Sequence, residues 1–178
     1  DVMLRLGLGI AGSIVFIDQS TKWLILAQLM ALPKTIEVLP VFNIVLVWNR
    51  GVSFGLFNSN SPWVPVALSL CALAVTLFLI VWLRRVEQKF LAVGIGLVIG
   101  GALGNVVDRL RHGAVADFLD LHIGGYHWPA FNVADSAITV GVLLILLDGL
   151  FARRDPRRCR RLHCSAATLS TLSRIFSL

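Results

Sequence analysis

The chain is 178 residues long, 57% of them hydrophobic and only 15% charged. Soluble domains carry about 25% charged residues, so this composition argues against an ordinary soluble globular protein and favours a membrane class. The net charge of +6 is local: through Ala152 there are nine Lys/Arg and nine Asp/Glu, and beyond it seven basic residues accompany one acidic residue. No aromatic interleaving or recognisable module accompanies those arginines, so nucleic-acid binding is not expected. A basic tail beside a membrane span reads instead as contact with anionic lipid, at about 1 kcal/mol per charge near the surface.

Four apolar stretches fit spans of about 20 residues. The first, 4–32, is interrupted by Asp18 and Lys22. Four apart on a helix, these two can pair on one face, as a buried salt bridge orienting the helix or as a direct substrate contact. The stretch lacks a small-residue cleavage site and is not read as a cleavable signal peptide. Residues 34–57 hold T-I-E-V-L-P and V-F-N-I-V-L-V-W before the turn-prone N-R-G, which predicts a small sheet on the outer surface.

The second span, 62–83, is uncharged, and Cys71 within it is expected to be a small core residue. The third, 90–107, carries Gly100, Gly101 and Gly104, where backbones can approach closely. Asn105, Asp108 and Arg109 follow at its outer end. They fit either a structural Asp–Arg neighbour pair or a polar network around a substrate. Residues 109–132 read as a second outer loop, broken by Gly113, Gly124, Gly125 and Pro129, with room for a short interfacial piece. The fourth span, 133–152, has Asp135 near its start.

The domain reading is one integral-membrane unit, 1–152, followed by a basic cytoplasmic tail, 153–178. Within the tail Cys159, His163 and Cys164 supply too few ligands at an unusual spacing for a metal site, and three cysteines give no disulfide framework. Arg84, Arg85 and Lys89 share a short loop, and the tail is also basic. The positive-inside rule then puts both termini in the cytoplasm and the opposite end of the bundle outside.

Two aspartates stand out: Asp117 in V-A-D-F and Asp135 in F-N-V-A-D. A carboxylate in membrane-grade sequence costs roughly 2.5–3.5 kcal/mol on insertion scales, so it needs a reason to be there. Brought together, two such groups cannot both ionise cheaply and come to share a proton. The charged member can polarise a water while the neutral one protonates a carbonyl or leaving amine, and peptide hydrolysis then needs neither a metal nor a covalent intermediate. The bland alternative makes Asp135 a dipole-favoured helix residue and Asp117 a solvated loop acid. Asp120, three residues on, rivals Asp117, and spacing alone does not choose. Asn49 and Asn132 have amides suited to supporting such a pair, though each also fits a turn or a cap. A proton-coupled transporter would spread its acids through the bilayer and often show an internal repeat. Here the acids mass at one face and no repeat is visible. A non-catalytic scaffold would leave the polar cluster incidental.

The ordered set D-Q-S-T-K (Asp18 to Lys22), N-R-G-V-S-F (Asn49 to Phe54), G-G-A-L-G-N-V-V-D-R (Gly100 to Arg109), V-A-D-F and F-N-V-A-D resembles bacterial lipoprotein signal peptidase, or signal peptidase II. The resemblance implies an aspartic endopeptidase of the bacterial inner membrane: a four-helix bundle, mainly α, with a small outer-face β-sheet. It implies cleavage of diacylglyceryl-modified prolipoproteins just before the lipidated cysteine, with no cofactor or metal, by a monomer among membrane lipids. By motif it makes Asp117 and Asp135 the catalytic pair. Asn49, Gly51, Asn105, Arg109 and Asn132 become substrate-contacting or supporting residues, and Asp18, Lys22 and Asp108 the polar framework.

Overall fold

A computed structural model describes residues 2–29, 35–51 and 63–152. Among these residues four helices are long and apolar enough to cross a membrane: α1 (Val2–Leu29), α2 (Trp63–Leu83), α3 (Lys89–His112) and α4 (Val133–Ala152). At about 1.5 Å per residue each spans roughly 30 Å or more. Lys34, the V-S-F end of the N-R-G-V-S-F motif, and the tail with Cys159, His163 and Cys164 lie outside the described residues.

Helix α3 is the axis of the bundle, packing against α1, α2 and α4. Its glycines explain how. Gly96, Gly100 and Gly104 recur every fourth residue and so form one face. A methyl on them would meet Gly7 O at 2.5 Å, Ala11 O at 2.7 Å and Asp18 Oδ2 at 2.6 Å, all on α1. A methyl on Gly94 would meet Gly141 O of α4 at 3.1 Å. Without a hydrophobic drive between helices in lipid, close backbone approach is what packing has to work with. Helix α2 turns Ser69, Thr76, Leu79 and Leu83 inward and leaves Cys71 exposed, contrary to the core position expected for it. A helix that is apolar all round does not reveal its buried face in sequence.

At one end of the bundle a four-stranded antiparallel sheet runs in the order β1 (Thr35–Leu39), β2 (Phe42–Asn49), β3 (Val115–Ile123), β4 (Tyr126–His127). The expected outer loop at 109–132 is therefore mostly not a loop. Helix α3 continues past Val107 to His112 and stops at Gly113, whose φ of +68° suits glycine and whose N–H donates to Arg109 O at 3.0 Å. The chain then enters β3. No two-residue alternation announces this strand, because Val115, Ala116, Asp117 and Phe118 are all buried. Likewise Asp108 and Arg109 look like the exit of a span, yet their partners lie inside the protein.

Candidate active site

Asp117 and Asp135 each follow the same pair of residues, Val-Ala, on two different elements: Val115-Ala116 on β3 and Val133-Ala134 on α4. The backbone N–H just before each aspartate is held by a buried carboxylate. Ala116 N–H donates to Asp108 Oδ2 at 3.2 Å, and Ala134 N–H donates to Asp18 Oδ1 at 2.9 Å. Those two carboxylates share one cation. Lys22 Nζ lies 2.9 Å from Asp18 Oδ2 and 2.8 Å from Asp108 Oδ2, and Gln19 Nε2 donates to Asp108 Oδ1 at 2.9 Å. All three charged groups are buried. A buried ion cluster is tolerable only when its remaining hydrogen-bonding capacity is used, as it is here.

Three asparagines then face the aspartates, each oriented by its oxygen. Asn49 Oδ1 accepts from Gly51 N–H at 3.0 Å, a local turn that aims Nδ2 at Asp117 Oδ2, 3.0 Å away. Asn132 caps α4 in a reciprocal box. Its Oδ1 accepts from Asp135 N–H at 3.0 Å, its own N–H donates to Asp135 Oδ2 at 3.3 Å, and its Nδ2 donates to Asp117 Oδ1 at 2.7 Å. Asn105 Oδ1 accepts from Lys22 Nζ at 3.2 Å, leaving Nδ2 to donate to Asp135 Oδ1 at 2.9 Å. Flipping any of these amides would set donor against donor. One residue, Asn132, thus bonds both aspartates.

Asp117 is almost wholly enclosed. Burial, and after it the charge of Asp135, push its carboxyl up to about 7, against the hydrogen bonds from Asn49 and Asn132 and the charge of Lys22. Asp120 differs. An odd separation along a strand puts it on the opposite face from Asp117, where it meets Asn43 Nδ2 at 3.1 Å and His127 Nδ1 at 2.9 Å. Burial pushes its carboxyl up, but the hydrogen bonds from His127 and Asn43 outweigh burial and hold it below the usual carboxylate range.

A sequence profile described as Signal peptidase (SPase) II matches residues 10–151. The chain belongs to the signal peptidase II family. The lipoprotein signal peptidase of Burkholderia vietnamiensis is 44% identical over 84% of this chain and 90% of its own length. That of Janthinobacterium sp. (strain Marseille) is 41% identical over 80% of this chain and 87% of its own length. A solved structure titled "Bacterial membrane enzyme structure by the in meso method at 2.3 A resolution" superposes with a TM-score of 0.72 and 32% identity, covering 83% of this chain and 88% of that one. This member of the family is a multi-pass membrane protein, mainly α with a small β-sheet.

Two clefts meet at Asp135 and Thr139 of this signal peptidase II homologue. One, of about 310 Å³, is polar on one wall, with Asn49, Asn105 and Arg109, and is closed by Ala72 of α2 and Ile138 of α4. Arg109 donates from Nη2 to Gly51 O at 3.1 Å, and its buried Nε has no partner among the described residues. The other cleft, of about 420 Å³, is largely apolar, running between Leu121, Trp128 and Phe131 on the sheet side and Ser136 and Val140 on α4. The ten residues that the family resemblance assigned to the site and its frame, from Asp18 to Asp135, fall in one connected network, and Asp120 lies outside it. Reading the sequence missed Gln19, Asn43 and His127. Gln19 lies inside D-Q-S-T-K and could have been found there; Asn43 and His127 carry no local signal.

Proposed function

We propose that this protein is an intramembrane aspartic endopeptidase that removes the signal peptide from diacylglyceryl-modified prolipoproteins, with Asp117 and Asp135 as the catalytic pair. The observation that carries the reading is the hydrogen-bond environment of the two carboxylates. Asp117 is buried and Asp135 half-buried, each against neutral amides, while the nearby lysine is already taken by Asp18 and Asp108. A pair compensated by amides rather than by a cation retains a proton to exchange.

In the reaction the ionised member accepts a proton from a water as its oxygen attacks the scissile carbonyl. The protonated member donates to the carbonyl oxygen. Collapse of the tetrahedral adduct returns a proton to the leaving amine, and one proton remains on the pair, which titrates as a unit. Arg109 Nε offers an unused donor to a substrate carbonyl in the polar cleft. The substrate's thioether-linked glycerol sits on the residue just after the cut, so its acyl chains must leave beside the dyad, and the apolar cleft that shares Asp135 receives them. Asn49, Gly51, Asn105, Arg109 and Asn132 contact or support the substrate, and Asp18, Lys22 and Asp108 hold the frame.

Orientation follows from charge. Arg84 and Arg85 lie between α2 and α3 and Lys89 opens α3, at the end away from the sheet, and by the positive-inside rule that end and both termini face the cytoplasm of a bacterial inner membrane. The site then faces outward, and the protein acts as a monomer.

The test is a gel-shift cleavage assay on a diacylglyceryl-modified prolipoprotein in bilayers. The parent is expected to cleave and Asp120→Asn to retain cleavage at a reduced rate, whereas Asp117→Asn and Asp135→Asn fall by about 10²–10⁴-fold. Normal cleavage by either folded dyad variant sinks the aspartic mechanism.

A further inference from the structure

Asp120 is a buried carboxylate that the reaction does not use. Buried charges persist when something pairs them, so its partners indicate what it does. On β3 it stands opposite Asn43 of β2 and diagonal to His127 of β4, itself opposite His122. Asn43 donates to Asp120 Oδ2 at 3.1 Å, and His127 Nδ1 lies 2.9 Å and 3.0 Å from the two oxygens. An ionised carboxylate only accepts, so His127 carries its proton on Nδ1. The His127 ring stacks on His122 with centroids 4.8 Å apart. A polar rung therefore crosses three strands.

The location of this rung gives it a consequence. Asp117 lies three residues before Asp120 on the same strand, and Asn132 follows His127 by five. Between them the chain turns on Gly124 and Gly125, with φ of +57° and +84°, and returns as a β4 of two residues. So short a strand is marginal alone. The backbone adds Trp128 N–H to Leu121 O at 2.7 Å and, nearer Asp117, three bonds that join Phe118 and Leu119 to Phe131 at 2.8–3.0 Å, while Pro129 between them has no N–H to give. The covalent path from one aspartate to the other thus runs through this hairpin, and among the described residues its outer half is crossed by the charged contact of Asp120 with His127.

We propose that Asp120 and His127 are positioning residues: their contact clamps the β3–β4 hairpin and so sets the spacing between Asp117 on β3 and Asp135 on α4. This rests on the aspartic reading above. His127 is half-exposed, so replacing it opens no core cavity. A loosened hairpin lets β3 drift from α4. Misplacement of reacting groups by about 1 Å can lower turnover by up to about 10²-fold. It also weakens the repulsion that Asp135 exerts on Asp117. The other charges facing Asp117, Lys22 on α1 and Arg109 on α3, are unaltered.

The experiment compares parent, His127→Leu, His127→Asn and Asp120→Asn in the prolipoprotein assay across pH, with thermal melts of each. Expected for His127→Leu is a kcat lower by about 10- to 100-fold at nearly constant KM, with the alkaline limb of kcat/KM moved to lower pH. Expected for His127→Asn, whose Nδ2 can stand in for Nδ1, is recovery of most of that loss. Asp120→Asn is expected to fall between. An unmoved limb, an unchanged kcat, or a His127→Asn variant as impaired as His127→Leu overturns the clamp. Activity surviving Asp117→Asn would instead overturn the dyad, which is a separate failure.

Discussion

Two carboxylate pairs lie side by side in this molecule, and they are handled in opposite ways. Asp18 and Asp108 close on Lys22 at 2.9 Å and 2.8 Å and spend their remaining oxygens on backbone N–H groups and Gln19. Among the described residues, Asp117 and Asp135 receive only asparagine amides and a backbone N–H. The first pair closes on a fixed cation, so it can serve as a frame. The second is left to be neutralised by a proton, which can move. The difference lies in the compensating group, and the first pair anchors the residue preceding each member of the second.

The sharpest way to break this comparison is to treat both pairs alike. Asp117→Asn or Asp135→Asn should abolish cleavage to within the roughly 10²–10⁴-fold stated above while leaving the helical fold intact by circular dichroism. Lys22→Met should do the reverse damage. With two buried carboxylates left uncompensated, it should destabilise the bundle by about 3–5 kcal/mol, read as a large drop in detergent melting temperature. A Lys22→Met protein as stable as the parent would mean the frame is not held by charge.

A smaller effect is expected at Gly104. A methyl there would sit 2.6 Å from Asp18 Oδ2, so Gly104→Ala must push Asp18 off Ala134 N–H or part α3 from α1, at about 1–3 kcal/mol. The subtlest prediction concerns pH. Because the folded Asp117 carboxyl sits at about 7, cleavage should decline as pH rises through that value and the pair loses its shared proton. The unfolded acid ionises near its ordinary 3.8, so the folded state binds the proton more tightly between the two values. Stability should therefore fall as pH rises from about 4 through 7. Asp117→Asn should flatten that limb of the melting curve, and an equally steep curve in the variant would place the titrating group elsewhere.

Much of the architecture is local and hence legible in the chain itself. Span lengths follow from runs of apolar residues, the glycine spacing of α3 announces close helix packing, and Asp18 and Lys22 announce their pairing by standing four apart. The two V-A-D triplets and the asparagines near them were visible for the same reason: a polar group in lipid-grade sequence is conspicuous wherever it points. Tertiary structure alone decided what each polar group touches. Asn49 reaches Asp117 across 68 residues and Asp18 reaches Ala134 across 116, separations over which no periodicity carries information. The same holds for β3. Pairing in the sheet turns Asp117 and Asp120 to opposite faces, and because that stretch is buried on both sides it shows no alternation. Hydrophobicity records how deep a residue lies, whereas the choice between a frame and a reactive pair depends on which donor arrives from elsewhere in the chain.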